Sequence, residues 1–132
     1  MLDSAQAKGG HMLKRVHSTF YWTKDMDEAV GFYRDVLGLD LRARYGEDWT
    51  EFDIGGSTIA LHGSRGMAPP NEGATVVFEV EDLDQAMVQL SSRGVRFEGE
   101  VTEVPESGRF VSLRDPAGNL VQIFEPPAGE RR

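Results

Sequence analysis

The stretch "KDMDEAVGFYRDVLG", residues 24–38, contains signals for both the beginning and the end of a helix. Asp25 is a predicted N-cap, and Glu28 follows three residues later, where the two side chains can satisfy free amide groups of the first turn. Apolar residues then recur at helical spacing as far as Leu37. Gly38 is the predicted end of the helix, because glycine tolerates the left-handed conformation in which a chain often leaves a helix. A helix between Asp25 and Gly38 is therefore predicted.

A second stretch, "EDLDQAMVQLSSRG" at residues 81–94, repeats this arrangement. Asp82 takes the cap position, Gln85 follows three residues later, and Gly94 ends the apolar pattern. Asp82 lies 57 residues after Asp25, and other equivalent pairs of residues show the same separation. We interpret the chain as one structural unit written twice.

One strand-like run precedes each predicted helix and three follow it. These runs are rich in β-branched and aromatic residues and are bounded by Gly, Pro, Asp and Asn turns. In the first half they are residues 16–23, 39–45, 49–54 and 57–62, and in the second half residues 75–80, 95–104, 109–114 and 119–125. The organisation is βαβββ repeated, which predicts an α+β fold.

The predicted single domain spans residues 12–127 and contains two modules, at about 13–64 and 73–126. We expect residues 1–11 to be a leader left from recombinant expression, and residues 128–132 to be a C-terminal tail. One helix cannot cover both faces of four strands, so each module keeps one open face. We predict that the two open faces form a curved mixed sheet around a cleft, with the helices outside.

The acidic composition of this 132-residue chain disfavours several classes of partner. The formal net charge is −8, whereas contacts with phosphates or anionic lipids need clustered Lys and Arg. There are no cysteines, so disulfides, thiolate metal ligands and a cysteine nucleophile are excluded. No apolar run approaches the ~20 residues of a membrane span. We expect a cytoplasmic protein that binds neither nucleic acid nor membranes, and the charge is compatible with a cationic or neutral small molecule.

Three motifs resemble the vicinal oxygen chelate superfamily, which contains glyoxalase I, extradiol dioxygenases, fosfomycin resistance proteins and bleomycin resistance proteins. They are "DMDEAVGFYRDVLGL" at residues 25–39, "VEDLDQAMVQLSSRGV" at 80–95 and "RDPAGNLVQIFE" at 114–125. The resemblance extends from Met12 to about Glu125. It implies the fold predicted above, but the fold hosts many different reactions.

In metal-using members, the resemblance implies ligands from the first and last strand of each half, usually His or Glu. The matching positions here are Ser18, Ala60, Thr75 and Gln122. None of them offers the imidazole, thiolate or carboxylate that a divalent transition metal prefers. We therefore predict no metal and no cofactor.

A shifted metal site is an open alternative. His62 shares the strand face of Ala60, and Glu79 shares the face of Thr75, because side chains alternate along a strand. His62 and Glu79 form a conceivable metal pair, and they are also our candidates for an acid–base role. Otherwise both are polar residues at the rim of the cleft.

Same-parity positions on these strands predict the lining of the cleft. The lining is mostly apolar and aromatic with a few hydrogen-bonding groups, which is typical of a small-molecule pocket. The predicted ligand-binding residues are Ser18, Phe20, Trp22, Trp49, His62, Thr75, Val77, Glu79, Gln122 and Phe124. Trp22 and Phe124 are expected to stack on a planar ligand, whereas a core role is favoured for Phe20.

We predict a metal-free binding protein similar to the bleomycin-resistance members, which sequesters an aromatic or amphiphilic natural product as a homodimer. Two enzymatic alternatives stay open at this point. One is a glyoxalase-like lyase, isomerase or dioxygenase with a noncanonical metal site. The other is a metal-free enzyme that uses Glu79 or His62 as acid–base on a polyketide-like substrate.

Overall fold

A computed structural model describes residues 11–130 of the chain. These residues form eight strands, two α-helices, one π-helical turn and one 3-10 turn. The strands are β1 (Leu13–Thr23), β2 (Asp40–Tyr45), β3 (Trp49–Ile54), β4 (Ser57–Gly63), β5 (Thr75–Val80), β6 (Phe97–Val104), β7 (Gly108–Arg114) and β8 (Leu120–Glu125). The helices are α1 (Met26–Gly31), followed by the π-helical turn Phe32–Val36, and α2 (Leu83–Ser92), and the 3-10 turn is Ala128–Glu130. The predicted α+β fold class is confirmed.

Most of the expected leader and part of the expected tail fall outside the range that the structure describes. Residues 1–10 of the expected leader and residues 131–132 of the expected tail lie outside the described residues. The boundaries of the predicted domain and of its modules stay predictions, as does the cleft.

Helix α1 begins as its sequence indicates, but it changes form after six residues. The Asp25 carboxylate accepts a hydrogen bond from the Glu28 amide at 3.0 Å, which caps the first turn. The chain then enters the π-helical turn, where the Leu37 amide bonds to the Phe32 carbonyl at 3.0 Å. Gly38 ends the segment with a φ of 76°. The sequence pattern predicted these two ends and not the π-helical turn between them.

Helix α2 follows the same local rules without such an interruption. The Asp82 carboxylate accepts from the Gln85 amide at 3.0 Å, and Gly94 exits with a φ of 94°. Leu83 and Ala86 point into the core and are 0% and 1% exposed. One apolar face of the helix is therefore buried.

The chain divides into two compact units, one of which is Ser18–Val76. Its strands follow the order β2-β3-β4-β1, in which β1 and β4 are parallel and the other neighbours are antiparallel. Helix α1 packs on one face of this sheet through Met26 and Val30, which meet Phe52 and Leu61. The opposite face of these strands is not part of that core.

The other unit comprises residues 11–17 and 77–130 of the described chain. Here the strand order is β5-β8-β7-β6, and β7 is antiparallel to both β6 and β8. The core of this unit consists of Val80, Leu83, Ala86, Val111 and Ile123, each 1% exposed or less. It lies between helix α2 and the strands.

A buried carboxylate at the end of β8 ties this sheet to helix α2. Glu125, which is 7% exposed, accepts a hydrogen bond from the Leu83 amide at 2.8 Å. Arg109 of β7 pairs with Glu125 at 3.2 Å and with Asp84 at 3.0 Å. These two carboxylates raise the pKa of the Arg109 guanidinium. The network therefore fixes the first turn of α2 against β7 and β8.

Replacing Glu125 with alanine is expected to lower the free energy of unfolding by about 2–4 kcal/mol, because Arg109 and the Leu83 amide lose a buried acceptor. Urea denaturation followed by circular dichroism measures this change. The matched control is Glu98→Ala, which removes an exposed ion pair with Arg114 and should change stability little. Equal losses in the two variants would contradict the role given to Glu125.

Candidate ligand-binding site

The register of strand β4 aligns three aromatic side chains across the Ser18–Val76 unit. His62 lies opposite Trp22 in the parallel β1–β4 pair and opposite Trp49 in the antiparallel β3–β4 pair. Residues that are directly opposite each other in a sheet project from the same face. Phe20, two residues before Trp22, shares that face and lies opposite Ala60.

These four residues form a contiguous group of rings, which we call the aromatic cluster. The Trp22 and His62 rings stack with their centroids 3.9 Å apart and their planes 17° apart. The Phe20 ring meets Trp22, Trp49 and His62 edge-on, with centroid distances of 5.8, 5.2 and 5.3 Å. Trp49 also contacts His62 edge-on at 5.4 Å. Such stacked and edge-to-face pairs are the favoured arrangements of aromatic rings.

A close backbone contact holds the chain segment that leads into Trp49. The amide of Gly63, directly after His62, donates to the Asp48 carbonyl at 2.9 Å. A Cβ atom at position 63 would collide with the Glu47 carbonyl oxygen. Glycine is therefore required where the turn before β3 crosses the end of β4.

The polar atoms of the aromatic cluster differ in whether they have partners. The Trp49 indole N–H donates to Glu51 at 2.8 Å, and Glu51 in turn pairs with Arg42 at 2.7 Å. By contrast, Trp22 Nε1 and His62 Nδ1 are buried without any hydrogen-bond partner within residues 11–130. Buried polar groups normally find a partner, so each unpaired nitrogen indicates a place for a missing acceptor or donor.

His62 is poised to be uncharged near neutral pH. Burial lowers its pKa below the ordinary value of 6.5, and the nearby Asp48 carboxylate offsets only part of this effect. A neutral imidazole has one nitrogen that donates and one that accepts. His62 Nδ1 can therefore take either role, whereas Trp22 Nε1 can only donate.

Three other positions singled out from the sequence lie in the same unit and are deeply buried. Ser18 is 3% exposed, Ala60 is 0% exposed and Thr75 is 0% exposed. The Thr75 hydroxyl accepts a hydrogen bond from the Asn71 side chain at 3.4 Å. A ligand-orienting role of Ser18 and Thr75 stays a prediction.

The remaining predicted residues, Val77, Glu79, Gln122 and Phe124, belong to the other unit. Glu79 is 3% exposed and pairs with Arg15 at 3.0 Å. The Phe124 ring packs against His17, with centroids 4.7 Å apart. Whether these residues share a site with the aromatic cluster stays a prediction.

Arg42 and Glu51 are partners of the aromatic cluster that the sequence did not indicate. Cross-strand ion pairs of this kind depend on the register of the hairpin, which the sequence pattern alone does not give.

A concave feature that was not predicted lies in the Ser18–Val76 unit. It is a groove of about 470 Å³, lined by residues of β1, α1, the π-helical turn and β4. These residues are Tyr21, Trp22, Thr23, Glu28, Ala29, Phe32, Tyr33 and Leu61. The only sequence signal was the adjacent aromatic pair Phe32-Tyr33, which was assigned to the helix.

Comparison with known proteins identifies the family. The model of the Glyoxalase/Bleomycin resistance protein/Dioxygenase superfamily matches residues 15–123. The chain belongs to this superfamily. The resemblance inferred from the sequence motifs is therefore confirmed at the level of the superfamily.

Individual relatives share about a third of the residues of this chain or fewer. YraH of Bacillus subtilis (strain 168) is 31% identical over 115 residues, which cover 76% of this chain and 90% of that protein. The metallothiol transferase FosB of Shouchella clausii (strain KSM-K16) is 28% identical over 125 residues, which cover 87% and 82% of the two chains. The crystal structure of methylmalonyl-CoA epimerase from Mycobacterium tuberculosis has a TM-score of 0.68 and 20% identity, with 98% and 95% of the chains covered. At that identity, the structure supports the fold alone.

The donor groups of the described residues do not fit a divalent transition metal. Among residues 11–130, no three His, Asp or Glu side chains lie close enough together to hold an ion. Glu79 is engaged by Arg15, and the His62 ring is stacked on Trp22. A metal site needs three or four such donors converging on one point. We therefore derive no metal-dependent chemistry for this chain.

No helix among residues 11–130 has the length and apolar character needed to cross a membrane.

The His62 imidazole is expected to titrate below pH 6.5, because burial disfavours its charged form. The measurement is the pH dependence of its NMR signals. Asp48→Asn should lower this midpoint further, since the Asp48 charge favours the imidazolium.

The lowered pKa of His62 also determines how the stability of the protein changes with pH. The folded protein releases the His62 proton more readily than the unfolded chain does. Stability is therefore lost as the pH falls from about 6.5 toward the lower folded-state pKa. His62→Gln should remove this part of the pH dependence, and a midpoint at or above 6.5 would contradict the assignment.

Proposed function

We propose that this protein is a metal-free small-molecule-binding protein that sequesters an aromatic or amphiphilic natural product, in self-resistance or drug binding. The observation that carries the proposal is the aromatic cluster with its two unpaired nitrogens. Stacked indole and imidazole rings give a planar ligand a large apolar contact. Hydrogen bonds to Trp22 Nε1 and His62 Nδ1 would orient that ligand.

The chemistry of the unpaired groups narrows the class of ligand. Trp22 Nε1 requires an acceptor, such as a carbonyl, ether or phenol oxygen of the ligand. His62 Nδ1 accepts a donor or donates to a second acceptor, depending on its tautomer. The formal charge of −8 favours a neutral or cationic ligand over an anion. An aromatic ring system that bears oxygen substituents fits these requirements.

Membership of the superfamily does not specify the oligomeric state of this protein. We propose a cytoplasmic homodimer, in keeping with the resemblance to the bleomycin-resistance members. The donor set supports the metal-free form of the proposal, because Ser18, Ala60, Thr75 and Gln122 offer only hydroxyl, methyl and amide groups.

A metal-free acid–base enzyme is the second candidate, and one observation favours it. His62 combines a lowered pKa with an unpaired nitrogen, which are properties of a general base. Glu79, the other candidate from the sequence, is less suited to that role because its side chain is engaged in an ion pair with Arg15. Turnover of a bound compound that is lost in His62→Gln, with binding kept, would favour this candidate over a binding protein.

Aromatic antibiotics are expected to quench the tryptophan fluorescence saturably, since both indoles belong to the aromatic cluster. A panel that includes oxygen-substituted polycyclic compounds tests this expectation. For a compound that binds, Trp22→Phe should weaken binding by ~5-fold or more through the loss of one hydrogen bond.

Trp49→Phe is the matched control, because it shrinks a ring equally but removes an N–H that is already bonded to Glu51. Affinities of the two variants are compared by calorimetry, which does not depend on the indole signal. Failure of every compound to quench, or equal losses in the two variants, would count against the proposed site.

The purified protein is expected to contain no stoichiometric zinc, nickel, iron or manganese, and a chelator should leave ligand affinity unchanged. Elemental analysis and calorimetry with and without EDTA provide the measurements. A metal present at one equivalent per chain would overturn the metal-free proposal and would favour a glyoxalase-like lyase, isomerase or dioxygenase.

A further inference from the structure

The groove beside the π-helical turn has the size of a small-molecule site. Its volume of about 470 Å³ lies within the range of roughly 300–1,000 Å³ that is usual for ligand pockets. It lies within the Ser18–Val76 unit, and residues of helix α1 and the π-helical turn contribute half of its lining. The groove contributes nothing to the aromatic-ligand site proposed above, apart from the shared residue Trp22.

The π-helical turn contributes two of the four aromatic rings that line the groove. Phe32 is 48% exposed although it is a large apolar side chain, and Tyr21 on β1 is 42% exposed. The Tyr33 ring contacts Phe32 edge-on at 5.4 Å and leans on Phe52 of the core at 5.8 Å. Burial and the neighbouring Tyr21 raise the pKa of the Tyr33 phenol, so that phenol is uncharged at neutral pH. The rings therefore offer faces and edges without a formal charge.

Glu28 is the one ionisable carboxylate among the residues that line the groove. Its side chain forms no ion pair within the part of the chain that the structure describes, whereas the adjacent Asp27 pairs with Arg44. An unpaired carboxylate next to exposed aromatic faces attracts a cation, because ring faces carry partial negative charge. A neutral apolar guest would instead desolvate the carboxylate without compensation.

We propose that this groove binds a small organic cation with an apolar or aromatic body, such as a quaternary or tertiary ammonium compound. The ammonium group lies between the Glu28 carboxylate and the rings of Phe32 and Tyr21, and the apolar body fills the rest of the groove. The formal charge of −8 adds a long-range attraction for the same class of ligand.

The experiment is an NMR titration of ¹⁵N-labelled full-length protein with benzyltrimethylammonium chloride at constant ionic strength. Saturable shifts are expected for the amides of residues 21–33 that line the groove. Phe32→Ala and Glu28→Gln should each weaken binding ~3-fold or more, in keeping with the loss of a cation–π contact or of the carboxylate. Both side chains are solvent-exposed, so these variants are expected to fold.

Matched controls separate this site from general effects. Val88→Ala removes apolar surface at another exposed helix position, and Glu72→Gln removes the same charge elsewhere in the Ser18–Val76 unit. Both should bind benzyltrimethylammonium as the parent protein does. Benzyl alcohol, which has the same ring without the charge, should bind at least ~3-fold more weakly.

Three results would overturn the proposal. The first is the lack of saturable shifts at the groove, and the second is equal affinity in Phe32→Ala and the parent protein. The third is a change of sedimentation from dimer to monomer in Phe32→Ala, which would show that a second copy of the chain covers the groove. The fluorescence and metal experiments above do not depend on any of these outcomes.

Discussion

The register of strand β4 with both of its neighbours is the constraint on which the candidate site depends. Parallel pairing with β1 and antiparallel pairing with β3 place Trp22, His62 and Trp49 in one line. A shift of one residue in either pairing would move a ring to the helix-covered face, because side chains alternate along a strand. The close approach of Gly63 to the turn before β3 helps to fix this alignment.

The features that local chemistry determines could be predicted from the sequence. The caps Asp25 and Asp82 bond to amides three residues away, so their neighbourhood in the chain contains the whole interaction. Alternation along β1 likewise predicted that Phe20 and Trp22 share a face. The contact between Tyr33 of the π-helical turn and Phe52 could not be predicted, because Phe52 lies 19 positions further along the chain. The partner of Glu79 was missed for the same reason, since Arg15 lies 64 positions away.

The polar groups of the aromatic cluster favour the proposed recognition of a ligand by shape and hydrogen bonding rather than by charge. The Glu51 carboxylate, which accepts from Trp49, is paired with Arg42, and burial lowers the pKa of His62 so that its imidazole is uncharged at neutral pH. The superfamily fold supports different functions through the side chains that it presents. In this chain, the positions that match the metal ligands of other members present two hydroxyl groups, a methyl group and an amide.

The π-helical turn makes the exposure of the side chains that follow it depend on the number of residues in this segment, and not only on their identity. A π-helical turn contains one residue more than the α-helical turn that it replaces. Loss of a single residue between Phe32 and Val36 would allow α-helical hydrogen bonding, and it would rotate the following side chains by about 100° around the axis. Among related chains, a one-residue gap at this place would therefore separate proteins that differ in which side chains after Phe32 face the solvent.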